Sequence, residues 1–240
     1  MMGAKGQIII TGVSSGIGLA IAKRALEIGF SVQGIGRNEP KELTSNPYWV
    51  FTTADLSQEK EVEKIQFQSA AHPLPTVLIN NAGTLGRMGQ ANTIDWNDTN
   101  ECMTLNVTAP MRLTARFMSM LQKSKQVFFT GSGAAQYAIN GWSSYCASKA
   151  AIHMYAEVLA QENPTTPIHA FTPGKVDTPM QAQIRAASAA DFPGVEHFRE
   201  EHAEGLLVKP ETVAEAVLHV IQNPGEQPVV FPTSQISTVL

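Results

Sequence analysis

The chain has 240 residues, of which 43% are hydrophobic and 16% are charged. This length and composition favour one globular domain over residues 1–240, because single cores divide only beyond roughly 250–300 residues. The 17 Lys and Arg residues against 21 Asp and Glu residues leave a formal net charge of −4. That charge provides no basic surface for nucleic acid or an anionic membrane.

Two cysteines, Cys102 and Cys146, are too few for a disulfide framework, and the six histidines show no His-Glu-x-x-His spacing. We therefore expect no zinc site and a reducing, cytoplasmic location. The first apolar run, Ile8-Ile9-Ile10, is too short for a signal peptide or a membrane span. We expect no export signal.

Short apolar runs alternate with longer amphipathic stretches along the chain. The predicted strands are residues 7–10, 31–35, 49–52, 77–79, 127–130, 168–171 and 229–231. The predicted helices are 17–28, 59–71, 96–121 and 148–161, whereas 38–48 contains two prolines and is predicted to hold no full helix. Strands separated by helices require parallel crossovers. The predicted fold is therefore α/β, a doubly wound, Rossmann-like parallel sheet with helices on both faces and a ligand crevice at the carboxyl ends of the strands.

A turn with three glycines, Thr11-Gly12-Val13-Ser14-Ser15-Gly16-Ile17-Gly18, joins the first strand to the first helix. A pyrophosphate needs free backbone amides, a close main-chain approach and a helix N-terminus, and glycines help with the first two. Gly12 can make the turn, Gly16 can lie against the phosphates, and Gly18 can let helix and strand pack closely. The spacing differs from Gly-x-Gly-x-x-Gly, and a turn without a ligand is the alternative.

The second strand is followed by Gly36-Arg37-Asn38. No carboxylate stands there to bind the ribose 2′-hydroxyl of NAD, whereas the guanidinium of Arg37 suits the 2′-phosphate of NADP. These residues favour NADP. The alternative is that Arg37 is an ordinary solvated arginine.

Tyr145 and Lys149 are four residues apart, so on a helix they share one face. We expect the ammonium to lower the pKa of Tyr145 and make this phenol a useful proton donor. On its own the pair is equally compatible with two surface side chains.

Polar motifs also follow other strands. They are Asn80-Asn81-Ala82-Gly83, Gly131-Ser132-Gly133 and Pro173-Gly174-Lys175-Val176-Asp177-Thr178, with Asn106 in a helical stretch. Together with the glycine turn and Tyr-x-x-x-Lys, these motifs closely resemble the short-chain dehydrogenase/reductase family, over about the whole chain. In that family the catalytic serine lies thirteen residues before the tyrosine, which selects Ser132.

The resemblance implies four catalytic roles. Tyr145 would donate a proton to a substrate carbonyl oxygen, and Ser132 would hydrogen bond to the same oxygen. Lys149 would hold the nicotinamide ribose and lower the pKa of Tyr145, while Asn106 would fix a water that links Lys149 to solvent. The hydride would come from the cofactor.

The resemblance also implies a cofactor site along the strand ends. Asp55 would contact adenine, Asn81, Ala82 and Gly83 would lie near the adenosine ribose, and Val176 and Thr178 would hold the carboxamide. The full set of expected NADP contacts is Gly12, Ser14, Ser15, Gly16, Ile17, Gly18, Arg37, Asn38, Asp55, Leu56, Asn81, Ala82, Gly83, Tyr145, Lys149, Pro173, Gly174, Val176 and Thr178.

Residues 141–151 and 176–181 are most similar to the sepiapterin reductase and benzil reductase branch, which reduces ketones and vicinal dicarbonyls with NADPH. The last predicted strand lacks the acidic pterin anchor of sepiapterin reductases, which argues against a pterin substrate. We expect a lid insertion at about 178–208 and an apolar pocket lined by Trp142, Met180, Ile184, Phe192 and Phe198. For each of these side chains, ordinary core packing is the alternative.

The sequence therefore favours an NADP-dependent carbonyl reductase. A 3-oxoacyl-thioester or steroid-type reductase on the same scaffold and a non-catalytic NADP-sensing protein are the alternatives. The resemblance predicts a homodimer or homotetramer. Apolar residues on more than one side of the predicted helices suit such pairing, among them Met111, Leu113, Met118, Val158 and Leu159.

Overall fold

Seven parallel strands form the central sheet of the computed structural model, which describes residues 4–68, 74–121, 124–225 and 227–236. The strands are β1 (Gln7–Thr11), β2 (Ser31–Gly36), β3 (Trp49–Thr53), β4 (Thr76–Asn80), β5 (Lys125–Thr130), β6 (Ile168–Thr172) and β7 (Val230–Pro232). Their order is β3-β2-β1-β4-β5-β6-β7. The chain reverses its direction of winding between β1 and β4, which is where such sheets open a crevice for a ligand. The predicted doubly wound fold is confirmed.

Helices cover both faces of the sheet. They are α1 (Gly16–Glu27), α2 (Glu59–Lys64), α3 (Trp96–Met103), α4 (Ala109–Met118), α5 (Ser143–Glu162), α6 (Pro179–Arg185), α7 (Val195–Ala203) and α8 (Pro210–Gln222). Between β2 and β3 the chain forms the short 3₁₀ turn Lys41–Leu43 in place of a full helix, as predicted. None of the helices in the described residues is long and apolar enough to cross a membrane.

Two hydrophobic cores lie on opposite faces of the sheet. Ile8 and Ile10 of β1 pack with α1 and α8, whereas Ile9 packs with α4 and α5. All three side chains are fully buried. Because successive side chains of a strand point to opposite faces, a central parallel strand needs an unbroken apolar run.

Several helix bounds differ from the prediction. The predicted helix 96–121 is interrupted by the π-helical turn Thr104–Thr108 and ends at Met118. Pro110 contributes to this break, because it has no N–H to donate to the carbonyl of Asn106 four residues earlier. α5 begins five residues before its predicted start, and α6, α7 and α8 were not among the predicted helices.

The predicted helix 59–71 ends at Lys64, and residues 69–71 lie outside the described residues. Buried Gln33 of β2 explains the early end. Its side chain donates to the carbonyl of Gln66 and accepts from the N–H of Gln68, both at 2.8 Å. These bonds satisfy the buried amide by taking main-chain groups that a longer helix would use internally.

Candidate active site

A cavity of about 770 Å³ opens at the carboxyl ends of the strands. Its wall combines the glycine turn after β1, the ends of β2 and β3, the loops after β4, β5 and β6, and parts of α5 and α6. Every predicted cofactor contact except Gly18 lies on this wall. Within the described residues, no three His, Cys, Asp or Glu side chains are grouped as metal ligands would be.

The glycine turn presents free main-chain donors to the cavity. Ser15 precedes α1 without making a side-chain capping bond, and the first turn of α1 holds no acidic residue, so neither a side-chain cap nor a nearby carboxylate would compete with a bound anion for its first N–H groups. Gly16 has φ +57, and a Cβ there would lie 2.9 Å from Thr178 Cγ2 across the crevice. These features fit the pyrophosphate of a dinucleotide.

Gly18 corrects one prediction. It lies behind the cavity wall, where a Cβ would come within 2.2 Å of the Gly12 carbonyl oxygen. Its contribution is the close packing of α1 on β1, and the expected direct cofactor contact is wrong.

The adenosine end of the cavity holds Arg37 and Asp55. Asp55 accepts hydrogen bonds from the N–H and hydroxyl of Ser57 at 3.0 and 2.8 Å. These bonds, and to a smaller extent the charge of Arg37, hold the pKa of Asp55 below its usual value. Glu39, the acidic residue next along the chain, accepts from Trp49 Nε1 at 2.9 Å and lies off the cavity wall. Arg37, which directly follows β2, is exposed and is therefore the nearest charged side chain after this strand on the cavity wall.

Asn81 lies on the wall, but its side chain is used to join strands. Nδ2 donates to the carbonyls of Thr11 and Gly12 at 3.0 and 3.1 Å, and Oδ1 accepts from Thr130 Oγ1 at 3.1 Å. The side chain thus ties the ends of β1, β4 and β5 together. Asn81 would therefore contribute to ligand binding by fixing the main chain around it, because its side-chain amide is already hydrogen bonded within the protein.

Ser132 and Tyr145 both lie on the cavity wall. Ser132 follows β5 and accepts from the N–H of Ala134 at 3.1 Å, while Tyr145 lies in the first turn of α5 and is buried. Burial raises the pKa of Tyr145 to about 12, against the lowering effect of a hydrogen bond to Ser132. The predicted net lowering of the Tyr145 pKa is therefore wrong, because the loss of water around the phenol outweighs the contacts that favour the phenolate.

Lys149 lies one turn after Tyr145 on the same face of α5. Its Nζ donates to the carbonyl of Thr130 at 2.8 Å and lies 5.6 Å from the centre of the Tyr145 ring. Burial lowers the pKa of Lys149 to about 8. The amine therefore still carries its proton at neutral pH, between the end of β5 and the cavity.

Asn106 lies behind the wall, at the π-helical turn. It is buried, and its side chain hydrogen bonds to the main chain of Thr84 and to Ser148 Oγ. Both amide donors are used by these contacts. If Asn106 binds a water as predicted, the acceptor would therefore be its main-chain carbonyl. This carbonyl lacks the usual helical hydrogen bond, because Pro110, four residues later, has no N–H.

The other end of the cavity is apolar. Trp142, Met180, Ile184 and Phe198 lie on the wall as predicted, but Phe192 does not. The ring of Phe192 stacks behind Trp142 with 5.1 Å between centroids, so it supports the wall from the core.

The 178–208 segment folds as α6 and α7 beside this apolar end. Its two ends are fastened together, because Asp177 N–H donates to the Val208 carbonyl and Val208 N–H donates to the Lys175 carbonyl, both at 2.9 Å. An ion pair between Lys175 and Glu201 also joins the loop after β6 to α7.

Two residues near the site were missed by the sequence reading. Lys175 lies on the cavity wall, and His153 is buried against the turn that carries Ser132. The helical spacing of Tyr145, Lys149 and His153, four residues each, was the available signal for His153.

The sequence matches the family model of short-chain dehydrogenases over residues 7–189. The chain belongs to the short-chain dehydrogenase/reductase family. It is therefore an oxidoreductase of a family that uses a nicotinamide cofactor.

The chain is similar to curated relatives along nearly their whole length. It is 35% identical to a benzil reductase ((S)-benzoin forming) of Bacillus cereus, over 90% of this chain and 94% of that protein. It is 32% identical to a sepiapterin reductase of Rattus norvegicus, over 90% of each. A crystal structure of a short-chain dehydrogenase/reductase from Saccharomyces cerevisiae has the same fold, with a TM-score of 0.84, 24% identity and 96% of each chain covered.

Proposed function

We propose that this protein is an NADP-dependent carbonyl reductase that acts on ketones or vicinal dicarbonyls, with Tyr145 as the general acid. One observation carries the proposal. Ser132, Tyr145 and Lys149 share the wall of a single cavity with the free N-terminus of α1, and Ser132 lies close enough to the phenol of Tyr145 to lower its pKa. A proton donor, an oxyanion partner and a dinucleotide cradle therefore share one crevice.

The cofactor would be held by the glycine turn, Arg37 and the loop after β6. The α1 N-terminus suits the pyrophosphate, and Arg37 suits a 2′-phosphate. Lys149 would hold the nicotinamide ribose, and Val176 and Thr178 the carboxamide. When bound, the nicotinamide supplies the hydride.

The chain's own residues supply the proton. With a pKa of about 12, Tyr145 keeps its proton throughout the physiological range and acts as a donor to the developing alkoxide. Ser132 adds a second hydrogen bond at the position where charge develops. The ammonium of Lys149 would stabilise the phenolate left behind, and a water on the main-chain carbonyl of Asn106 would return the proton.

The substrate would occupy the apolar end of the cavity. Trp142, Met180 and Phe198 offer aromatic and sulfur contacts suited to an apolar ketone. The similarity to a benzil reductase supports a vicinal dicarbonyl, and we assign the 178–208 segment to covering the bound substrate.

A substrate panel with a matched pair of variants tests this function. NADPH oxidation should be rapid with benzil and other vicinal diketones, and slow with 3-oxoacyl thioesters and steroid ketones. Tyr145→Phe should lower kcat by at least about 100-fold, as expected for loss of a general acid. Tyr155→Phe, on the same helix but off the cavity wall, should retain activity.

Two outcomes would reject the proposal. Faster turnover of a 3-oxoacyl thioester or a steroid would favour the alternative reductases. Tight NADPH binding with no turnover of any carbonyl would favour a sensor.

We also propose that residues 1–240 act as one domain in the cytoplasm, as a homodimer or homotetramer. Both cysteines are free, which suits a reducing compartment. Met111 of α4 and Met154 and Val158 of α5 are exposed and suit a contact between copies. Leu113 and Leu159, which the sequence suggested for this contact, are buried in the chain's own core. Sedimentation of the purified protein measures the assembly directly.

A further inference from the structure

His153 is a buried imidazole next to the proposed catalytic residues. It lies on α5, one turn after Lys149 and two turns after Tyr145, and is 8% exposed. Its ring lies against the end of β5, since a Cβ on Gly131 would come within 2.3 Å of Nε2. The glycine before Ser132 therefore makes room for this ring.

The imidazole makes a directed contact with Ser132. The main-chain N–H of Ser132 donates to His153 Nε2 over 3.4 Å. Nε2 is then the unprotonated nitrogen, and Nδ1 carries the hydrogen of the neutral ring. The hydroxyl of Ser132 accepts from Ala134 N–H at 3.1 Å, so the serine is held at both its main chain and its side chain.

The surroundings keep this ring neutral. Burial lowers the pKa of His153, and the ammonium of Lys149 lowers it further. Tyr145 is the other titratable group on this face of α5, while the turn after β5 presents the main chain of Gly131. His169 of β6 packs between rings of the core on the other face of the sheet.

We propose that His153 is a positioning residue, which holds the main chain of Ser132 so that the serine hydroxyl faces Tyr145 and the substrate oxygen. This inference rests on the proposed carbonyl reduction. An apolar side chain could fill the same volume, but it would leave the Ser132 N–H without its acceptor. The turn that carries the hydroxyl would then shift to find another partner.

Two variants of His153 test whether the ring acts as a hydrogen-bond acceptor or only fills space. His153→Leu removes the acceptor and should lower kcat by about 10- to 100-fold, the loss expected for a misplacement near 1 Å. KM and the Kd for NADPH should stay within about threefold. His153→Gln places an amide oxygen near the position of Nε2 and should restore most of kcat. His219→Leu, on α8 and off the cavity wall, serves as the control and should leave kcat unchanged.

The pH profile provides a second readout. In the wild type kcat should fall on the acid side as His153 takes up a proton at Nε2, because two N–H groups then face each other. His153→Gln should lack this acid limb, since its amide does not titrate. Unchanged kcat in His153→Leu, equal losses in both variants, or the same acid limb in His153→Gln would each overturn the inference.

Two structural measurements keep the inference separate from the proposed function. If the wild type turned over no carbonyl, the proposed function would fail, but the contact between His153 and Ser132 could still be tested by the two measurements that follow. Nitrogen NMR at pH 7.5 should find the hydrogen of His153 on Nδ1, and a hydrogen on Nε2 would overturn the inference. Crystal structures should show Ser132 Oγ displaced from Tyr145 Oη in His153→Leu and not in His153→Gln, and an unmoved hydroxyl in His153→Leu would likewise overturn it.

Discussion

The side-chain amide of Asn106 pairs with the main chain of Thr84 through two hydrogen bonds, both 2.8 Å long. Oδ1 accepts from the Thr84 N–H, and Nδ2 donates to the Thr84 carbonyl. A third bond, from Nδ2 to Ser148 Oγ at 3.0 Å, reaches α5. One buried side chain thus joins the loop after β4, the π-helical turn and the helix that carries Tyr145 and Lys149.

Replacing the donor at this position should loosen all three segments. Asn106→Asp places a carboxylate oxygen opposite the Thr84 carbonyl, and we expect unfolding free energy to fall by about 2–4 kcal/mol, since a buried group loses its partner and a charge is introduced. Urea denaturation measures the change. Asn100→Asp, on the exposed side of α3, is the matched control and should stay within about 0.5 kcal/mol of the wild type. Equal stability of the two variants would contradict the role of the paired bonds.

The choice of cofactor should depend on Arg37. Arg37→Ala should weaken NADPH binding by about 10- to 100-fold, the effect of losing a hydrogen bond to a charged group, and leave NADH binding within about threefold. Fluorescence titration with each cofactor gives both constants. Arg87→Ala, which removes an exposed arginine away from the cavity, should change neither. Equal weakening for both cofactors would show that Arg37 does not recognise a 2′-phosphate.

Lys149 should set the alkaline limit of carbonyl reduction. Because burial lowers its pKa to about 8, the ammonium loses its proton above that pH, while Tyr145 keeps its own to about 12. We therefore expect reductive kcat to be level near pH 7 and to decline above about pH 8, as the phenolate formed after proton donation loses its stabilising charge. Lys149→Arg keeps a charge to much higher pH, so its residual activity should show no such decline. A wild-type rate that stays level to pH 10 would exclude this role for the ammonium.

Acid should destabilise the fold partly through His169. Its Nδ1 lies 3.1 Å from the Pro228 carbonyl, the ring packs between Phe128 and Phe231, and burial lowers its pKa. Above pH 6.5 both folded and unfolded states hold a neutral ring. As pH falls below 6.5 the unfolded chain takes up the proton first, so unfolding free energy decreases.

A variant isolates that contribution. His169→Phe should reduce the loss of unfolding free energy between pH 7.5 and pH 5.0, whatever its effect at neutral pH. Denaturation curves at the two pH values measure the difference, with His202→Phe as an exposed control. An acid dependence equal to that of the wild type would assign the sensitivity to other groups.

The strands and most of the cavity wall could be predicted because their signals are local. The apolar run Ile8-Ile9-Ile10 and the glycine turn after it require a buried strand and a tight connection, whatever the rest of the chain does. All seven predicted strands lie within two residues of the observed bounds. The positions of Arg37 and Asp55 on the wall follow from the same rule, since residues after parallel strands gather at one edge of the sheet.

What failed depends on contacts between distant segments. The end of α2 depends on Gln33, a buried amide 26 residues before Glu59, which takes main-chain groups from residues 66 and 68. The pKa of Tyr145 depends on burial, to which Trp142 contributes through an edge-on ring contact. His153 contacts Ser132, which lies 21 residues earlier and outside α5. The sequence shows the helical spacing of His153 from Lys149, but it does not show that Ser132 is its partner.

The hydrogen bonds that join Lys175 and Asp177 to Val208 make the 178–208 segment, beside the apolar end of the cavity, a self-contained unit. They hold the two ends of the 178–208 segment together. A change in the length or sequence of this segment should therefore leave the conformation of the loop after β6 unchanged. Exchange of this segment for that of another family member would therefore transplant a different set of wall residues while the dinucleotide cradle stays as it is. New substrate ranges can arise on this scaffold by insertion and deletion, without any compensating change in the sheet.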